Sequence, residues 1–457
     1  MQLTSSFLVL LQQFVPVFTQ PTFYTFVQIA SGWALSHRHR YITDIIFSGG
    51  NLRDGHWCRF HRFFSSAAWD IDIFAMVLAK FVATILAPGA LLLWAVDDTL
   101  CRKRGLTLYG AGMHHDPLIS SRAKPLVSWG HDWVVLCLLI VGPFWAPTKV
   151  FALPIAVRLY RNRQGVTKGK KKDAKAANKS AQANPDHRTR PQLAVELIRL
   201  AAAWFPNDSI VISGDSAYGG KSVLSHLPDN VHLISHVHAK GALYAPPPPP
   251  SKGQRGPRRK KGERLPGMAD WANDPAKPWT KLSFDQFGLH AELAVKTQQA
   301  LYYKSGGTRL LNIVLTRDLE GGRPDHMFYC TQLDWNARQI LATYACRWAI
   351  ECTFENCKQL LGLEDPANRL PRAVQRTAPM ALFLYSLIVA WFHIAGHAWV
   401  RFPERPWYKN KREPSFADIL TTLRRVSCEE QIRQLAPKRG RLKTWLTQLT
   451  ELFSRAG

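Results

Sequence analysis

Two short apolar runs, each ending in an aspartate, constrain this chain most. "GALLLWAVDD" ends on Asp97 and Asp98, and "SIVISGDSAYGG" runs into Asp215 within a turn of small residues. Apolar runs this short, with no polar alternation, are buried on both faces and read as central strands of a sheet covered by helices. Each strand then delivers its acid at its C-terminal end. "WVVLCLLIVG", "FALPIAVRLY" and "NVHLISHVH" predict three further strands, and "PQLAVELIRLAAAWF" has the period of an amphipathic helix. The order strand, strand, strand, helix, strand predicts an α/β fold.

A third acid lies in "YACRWAIECTFENCKQLLGLED", residues 344 to 365, which reads as one helix beginning near Trp335 behind an Asp334 cap. At about 100° per residue, Tyr344, Arg347, Glu351 and Lys358 fall on one stripe about 60° wide. Glu355 lies beside them, and Ala345, Cys346, Ala349, Ile350, Phe354, Cys357, Leu360 and Leu361 form the opposite, core face. Alone, the stripe fits a solvated face with Arg347–Glu351 and Glu355–Lys358 ion pairs. Glu351 and Glu355 repel one another across one turn, however, so a cation there would be stabilising.

The partner is suggested by charge. Lys and Arg number 59 against 33 Asp and Glu, a net charge of +26, which favours a polyanion, nucleic acid before membrane. The eight cysteines form no CxxC pair, which argues against a zinc site, and read as reduced, mostly buried thiols of a cytoplasmic protein. "FAMVLAKFVATILAPGALLLWAV" is long enough to span a bilayer, yet Lys80 and Pro88–Gly89 interrupt it. It reads as a buried helix, a turn and a buried strand. "APMALFLYSLIVAWF" reads as a second buried helix.

Five regions follow. Residues 1–88 are helical, and "SHRHRYITDIIFSGGNLRDGHWCRFHRFF" holds two helices around Gly49–Gly50, either a helix-turn-helix-like DNA reader or a plain helical hairpin. Residues 89–240 are the first part of the core, with a basic loop "VTKGKKKDAKAANKSAQAN". Residues 241–333 open with "APPPPPSKGQRGPRRKKGERLPG", an extended segment whose Arg258, Arg259, Lys260 and Lys261 suit phosphate contacts, and continue into β-rich pieces. A tryptophan here (Trp271, Trp279 or Trp335) is a candidate for stacking on an unpaired base, against the commoner core role. Residues 334–400 carry the helices with the polar stripe. Residues 401–457 are basic and helical, with a capping pair at Ser415 and Asp418.

Asp97 or Asp98, Asp215 and Glu351 together suggest a site for hard divalent cations, Mg²⁺ or Mn²⁺. Clustered carboxylates repel unless a cation sits among them, and two such ions can hold the oxygens of a phosphodiester in line. The spacing Tyr344-x2-Arg347-x3-Glu351-x6-Lys358 resembles the Tyr-Arg-Glu-Lys signature of bacterial insertion-sequence DDE transposases. "VDDT" followed by "RKRG" resembles that family's first-Asp region, and "GDSAYGG" its second. The resemblance covers about residues 30–400.

It implies a ribonuclease H-like mixed-sheet core with a β-rich insertion, which the 136 residues from Asp215 to Glu351 accommodate. It favours Asp97 over Asp98 as first ligand, because the family shows Asp, any residue, then Thr. It implies Asp97, Asp215 and Glu351 as catalytic ligands of two Mg²⁺ ions, with Mn²⁺ able to substitute. Tyr344, Arg347 and Lys358 are then DNA contacts. The implied partners are double-stranded DNA, at the terminal inverted repeats and the target, and a second protomer on paired ends, with no membrane. The implied location is the bacterial cytoplasm, at the nucleoid. Two alternatives stay open: a metal-dependent nuclease of the same fold without strand transfer, and a catalytically silent DNA-binding relative.

Overall fold

Ten strands form one mixed sheet, and the strand order explains where the aspartates sit. A computed structural model describes residues 3–50, 55–121, 123–163, 184, 186–249, 258–286, 289–402, 406 and 410–435. The basic loop at 166–183, the Pro250–Pro257 stretch and residues 436–457 lie outside the described residues.

Five helices come first: α1 (Ser5–Leu11), α2 (Gln20–Leu35), α3 (Ile42–Ser48), α4 (Cys58–Ser65) and α5 (Ile71–Leu86). Asp70 caps α5 by accepting from the backbone N–H groups of Asp72 and Ile73. The core strands follow: β1 (Leu92–Arg102), β2 (Gly112–His115), β3 (Val127–Val141) and β4 (Val150–Tyr160). Then come α6 (Arg190–Trp204), β5 (Ile210–Gly214), α7 (Lys221–Leu224) and β6 (Val231–His236). α6 starts at Thr189, whose side chain makes a reciprocal capping box with Gln192.

β1 is central. It pairs antiparallel with β3 on one side and parallel with β5 on the other. β4 and β2 pair with β3, and β6 runs parallel to β5. This gives the core order β4-β3-β1-β5-β6, three antiparallel strands and then two parallel ones, a ribonuclease H-like α/β arrangement. The apolar run after Pro88–Gly89 is β1, as its composition requires: Trp94, Ala95 and Val96 are fully buried. β1 continues past the aspartates to Arg102, because β3 is long enough to keep pairing with it after β5 has ended at Gly214.

The insertion comprises α8 (Met268–Asn273), β7 (Thr280–Gln286), β8 (Leu289–Leu301), α9 (Tyr303–Gly306), β9 (Leu310–Asp318) and β10 (His326–Cys330). Its strands extend the core sheet, since β10 pairs antiparallel with β6, matching Phe328 with His236. β6 would otherwise be an exposed edge.

The polar-stripe segment is not one helix. It is α10 (Ala337–Ala345), a 3₁₀ turn over Cys346–Trp348, and α11 (Ala349–Leu361). The cap of α10 is Asn336, whose side chain accepts from the Gln339 N–H, rather than Asp334. α12 (Pro371–Ile394) is long and apolar enough to cross a membrane, but its apolar window is 89% buried inside the protein. It stacks Phe383 on Phe74 of α5 and Trp391 near Phe7 of α1. α11 and α12 cover β4, where Thr353 Oγ1 donates to the Ala152 carbonyl at 2.8 Å and Ser386 Oγ to that of Pro154 at 2.7 Å. Those bonds satisfy carbonyls of an edge strand under the helices. α13 (Phe416–Leu435) starts at Ser415, whose N–H donates to Asp418 at 2.7 Å. None of the eight cysteines forms a disulfide, and five of them are buried.

Candidate active site

Strand alternation separates the two adjacent aspartates. Asp97 is buried and takes an ion pair from Arg347 Nη1 on the 3₁₀ turn. Asp98 is engaged elsewhere: its Oδ1 accepts from the Tyr218 hydroxyl at 2.6 Å, and its Oδ2 lies 3.3 Å from Arg190 Nε of α6. Arg190 also pairs with the buried Asp132 of β3 and lies over the Tyr160 ring at 4.4 Å. Asp98 is therefore part of a buried network with Arg190, Asp132 and Tyr218.

Asp215 follows the last residue of β5. Its Oδ1 accepts from the backbone N–H of Ala217 at 2.9 Å and of Tyr218 at 3.4 Å, an Asx-type turn. The turn is tied to β6 and β10 by Ser235 Oγ donating to the Asp215 carbonyl at 2.7 Å and Tyr329 Oη donating to the Gly219 carbonyl at 2.8 Å. A Cβ at Gly219 would collide with the Ser235 side chain, which explains the glycine in "GDSAYGG".

Glu351 lies in the first turn of α11 and is exposed. Asp215 and Glu351 both act on Asp97. Burial pushes the Asp97 carboxyl up to about 7; Arg347 opposes this, and the negative charges of Asp215 and then Glu351 reinforce it. Burial also raises Asp98, to about 6, with Asp132 adding to the rise and Tyr218 and Arg190 opposing it.

The stripe does not carry the ion pairs that helical spacing suggests. Arg347 reaches Asp97 rather than Glu351, and Glu355 accepts from Gln359 Nε2 at 3.0 Å rather than from Lys358. Tyr344 is half-buried, edge-on to His236 and Phe328 at 4.9 Å each, with the Arg347 guanidinium 5.6 Å from its ring centre. Arg347 Nε is buried and has no hydrogen-bond partner among the described residues. Lys358 stands on the last turn of α11.

Arg258, Arg259 and Lys260 are exposed, whereas Lys261 sits over the Tyr244 ring at 3.7 Å. Trp271 is fully buried and is thereby removed as a base-stacking candidate. Trp279 is covered by Arg317 and Lys296, and Trp335 packs against the small core beneath α10. Sequence reasoning missed Arg190, Asp132 and Tyr218. The apolar run that follows Asp132, Trp133 to Val141, was the available signal, since an acid carried into a buried strand needs a cation.

A model of the family described as DDE superfamily endonuclease matches residues 51–305, more than half of the chain. The chain belongs to the DDE superfamily of endonucleases. The family acts on DNA and generally uses divalent metal ions. The matched region contains Asp97 and Asp215 and ends before Glu351. No curated protein matches the chain.

Among the described residues, no three His, Cys, Asp or Glu side chains are drawn together into a closed metal-ligand group. The donor chemistry nevertheless suits a hard cation. Asp97, Asp215 and Glu351 offer only carboxylate oxygens, Asp215 and Glu351 add to the rise that burial imposes on Asp97, and Asp215 Oδ2 accepts no hydrogen bond among the described residues.

Proposed function

We propose that the chain is a DDE transposase of the insertion-sequence branch with the Tyr-Arg-Glu-Lys signature. It would cut at the ends of its element and join the freed 3′-hydroxyls to target DNA. The observation that carries this reading is the ion pair of Arg347 with Asp97 on β1, with Asp215 at the end of the neighbouring β5 and Glu351 on the first turn of α11, whose charges both act on Asp97. Asp97, Asp215 and Glu351 would hold two Mg²⁺ ions, with Mn²⁺ as a substitute. When bound, the ions supply an activated water and a clamp on the oxygens of the scissile phosphodiester.

The remaining residues of the site act on the DNA. In the free protein Arg347 pairs with Asp97; with cations on the acids, its guanidinium fork would be released to a phosphate oxygen. Lys358 holds a phosphate as a point charge. Tyr344, its ring fixed by His236 and Phe328, presents its hydroxyl beside Arg347. Arg258, Arg259 and Lys260 add sequence-independent backbone attraction, and Lys261 contributes from its aromatic seat. Two protomers on paired DNA ends complete the proposed complex, at the bacterial nucleoid.

The test is incubation with the flanking DNA of the element, a target duplex and Mg²⁺, with strand-resolved mapping of the products. Joined 3′ ends are expected. Cleavage without joining would reduce the reading to a nuclease. No cleavage by the wild type, or undiminished cleavage by Glu351→Gln, would overturn the catalytic assignment.

A further inference from the structure

The segment "SHRHR" does not project as part of a base-reading helix. It connects α2 to α3 and docks on the C-terminal end of α11. Arg40 Nη2 donates to the Leu360 carbonyl at 2.7 Å, and Trp33 Nε1 donates to that of Leu361 at 2.8 Å. These bonds cap the helix end and offset its partial negative charge. Beside this contact lies an open recess of about 580 Å³, lined by His37, Arg38, Arg40, Lys358 and Arg424.

The cations come from three separate parts of the chain and outnumber the one acid of the lining, Asp365, which pairs with His39 at 3.5 Å. Arg424 reaches in from α13, fixed by donating to the carbonyls of Ala34 at 2.8 Å and Ser36 at 2.7 Å. Asp365 supplies the acid of the lining, and its Oδ2 already accepts from the Arg40 N–H at 2.7 Å. Burial and then the charge of Arg40 push Arg424 down to about 10. His37 is lowered by burial, Arg424 and Arg40 in turn. Arg38 is exposed; Lys358 makes no ion pair among the described residues, although its charge acts on Asp132 of β3. Like charges held together at a partly buried surface cost stability unless an anion joins them.

We propose that this recess binds a phosphodiester group of the DNA backbone, with Arg38 and Lys358 as its charged donors. The inference rests on the proposed action on DNA and adds a contact site. Lys358 follows Glu351 by seven residues, about 10 Å along α11, or about three base-pair steps at 3.4 Å each. A strand whose scissile phosphate lies at the acids therefore runs along α11 and places a later phosphate in the recess. "SHRHR" acts as a backbone clamp that sets the register of the strand and reads no base.

The experiment is duplex binding by the full chain at several salt concentrations, comparing wild type with Arg38→Ala and Arg38→Lys. Arg38→Ala should lower the slope of log K against log salt by about one and weaken unrelated sequences equally. Arg38→Lys should keep the wild-type slope. An unchanged slope in Arg38→Ala overturns the proposal, and so does a loss confined to one sequence position. If inorganic phosphate raises the wild-type Tm but not that of Arg38→Ala, while the DNA slope is unchanged, the recess holds a free anion and the proposal fails. Wild type that binds no duplex would instead remove the DNA-acting reading beneath it.

Discussion

At Asp97 and Asp98 a single residue step separates two fates. Asp97 turns to the helix side and meets Arg347; Asp98 turns to α6 and is bound by Tyr218 and Arg190. Asp97→Asn should therefore abolish Mg²⁺-dependent cleavage. Asp98 accepts from the Tyr218 hydroxyl, and the Tyr218 N–H donates to Asp215. Tyr218→Phe removes the hydroxyl bond to Asp98 but keeps the N–H bond to Asp215, so it should cost about 1–3 kcal/mol of stability and leave the Mg²⁺ dependence of cleavage unchanged. Metal titration of cleavage rates checks both. Glu351→Gln removes a proposed ligand and should lose over ~10²-fold in cleavage.

A different aspartate governs acid stability. Buried Asp116 accepts from Arg102 Nε at 2.7 Å and from Ser128 Oγ at 2.6 Å, and the Arg102 bond above all holds its carboxyl down to about 2. Its folded value lies below its unfolded one. The stability it contributes is full above about pH 4 and is lost as pH falls through about 2. Asp116→Asn should lower Tm at pH 7 and flatten the Tm profile between those values, as thermal melts at a series of pH would show.

Among the elements, the break between α10 and α11 matters most. A continuous helix wheel places Tyr344, Arg347, Glu351 and Lys358 on one stripe, and the tighter 3₁₀ turn at Cys346–Trp348 carries Arg347 to Asp97. The start of α10 is set by Asn336. Asn336→Ala should destabilise the protein by about 1 kcal/mol, while Asp334→Ala should cost much less in the same denaturant titration. Most strands were readable because their apolar runs are unbroken. β2 and β7 were not: "GMHH" is too short to show a period, and the alternation of Leu282 and Phe284 with Lys281, Ser283 and Asp285 in "TKLSFDQ" spans only two apolar residues; both are strands because β3 and β8 offer them edges. The Asp334 expectation failed for a related reason, since two polar residues near a helix start are equivalent until the chain direction selects one.

For the whole molecule, charge and burial govern behaviour. With a net charge of +26, DNA affinity should fall steeply between low and physiological salt. Because α12 is enclosed by α1, α5, β4 and α13, the chain should partition into the aqueous phase without detergent. A membrane-bound fraction released only by detergent would contradict that.

The amino-acid order alone fixed the α/β class, the two acid-bearing strands and the basic character, because apolar runs, breakers and net charge are local or additive. Tertiary structure decided the rest. Continuity of β10 with β6, the pairing of Asp97 with Arg347, the Asp98–Arg190–Asp132 network and the docking of "SHRHR" on α11 all join residues far apart in the chain. Such contacts depend on which faces pack together, and no local pattern encodes them. The polar stripe on residues 344–358 shows both sides: its spacing was legible, but the partner of Arg347 became known only when β1 was laid beneath it.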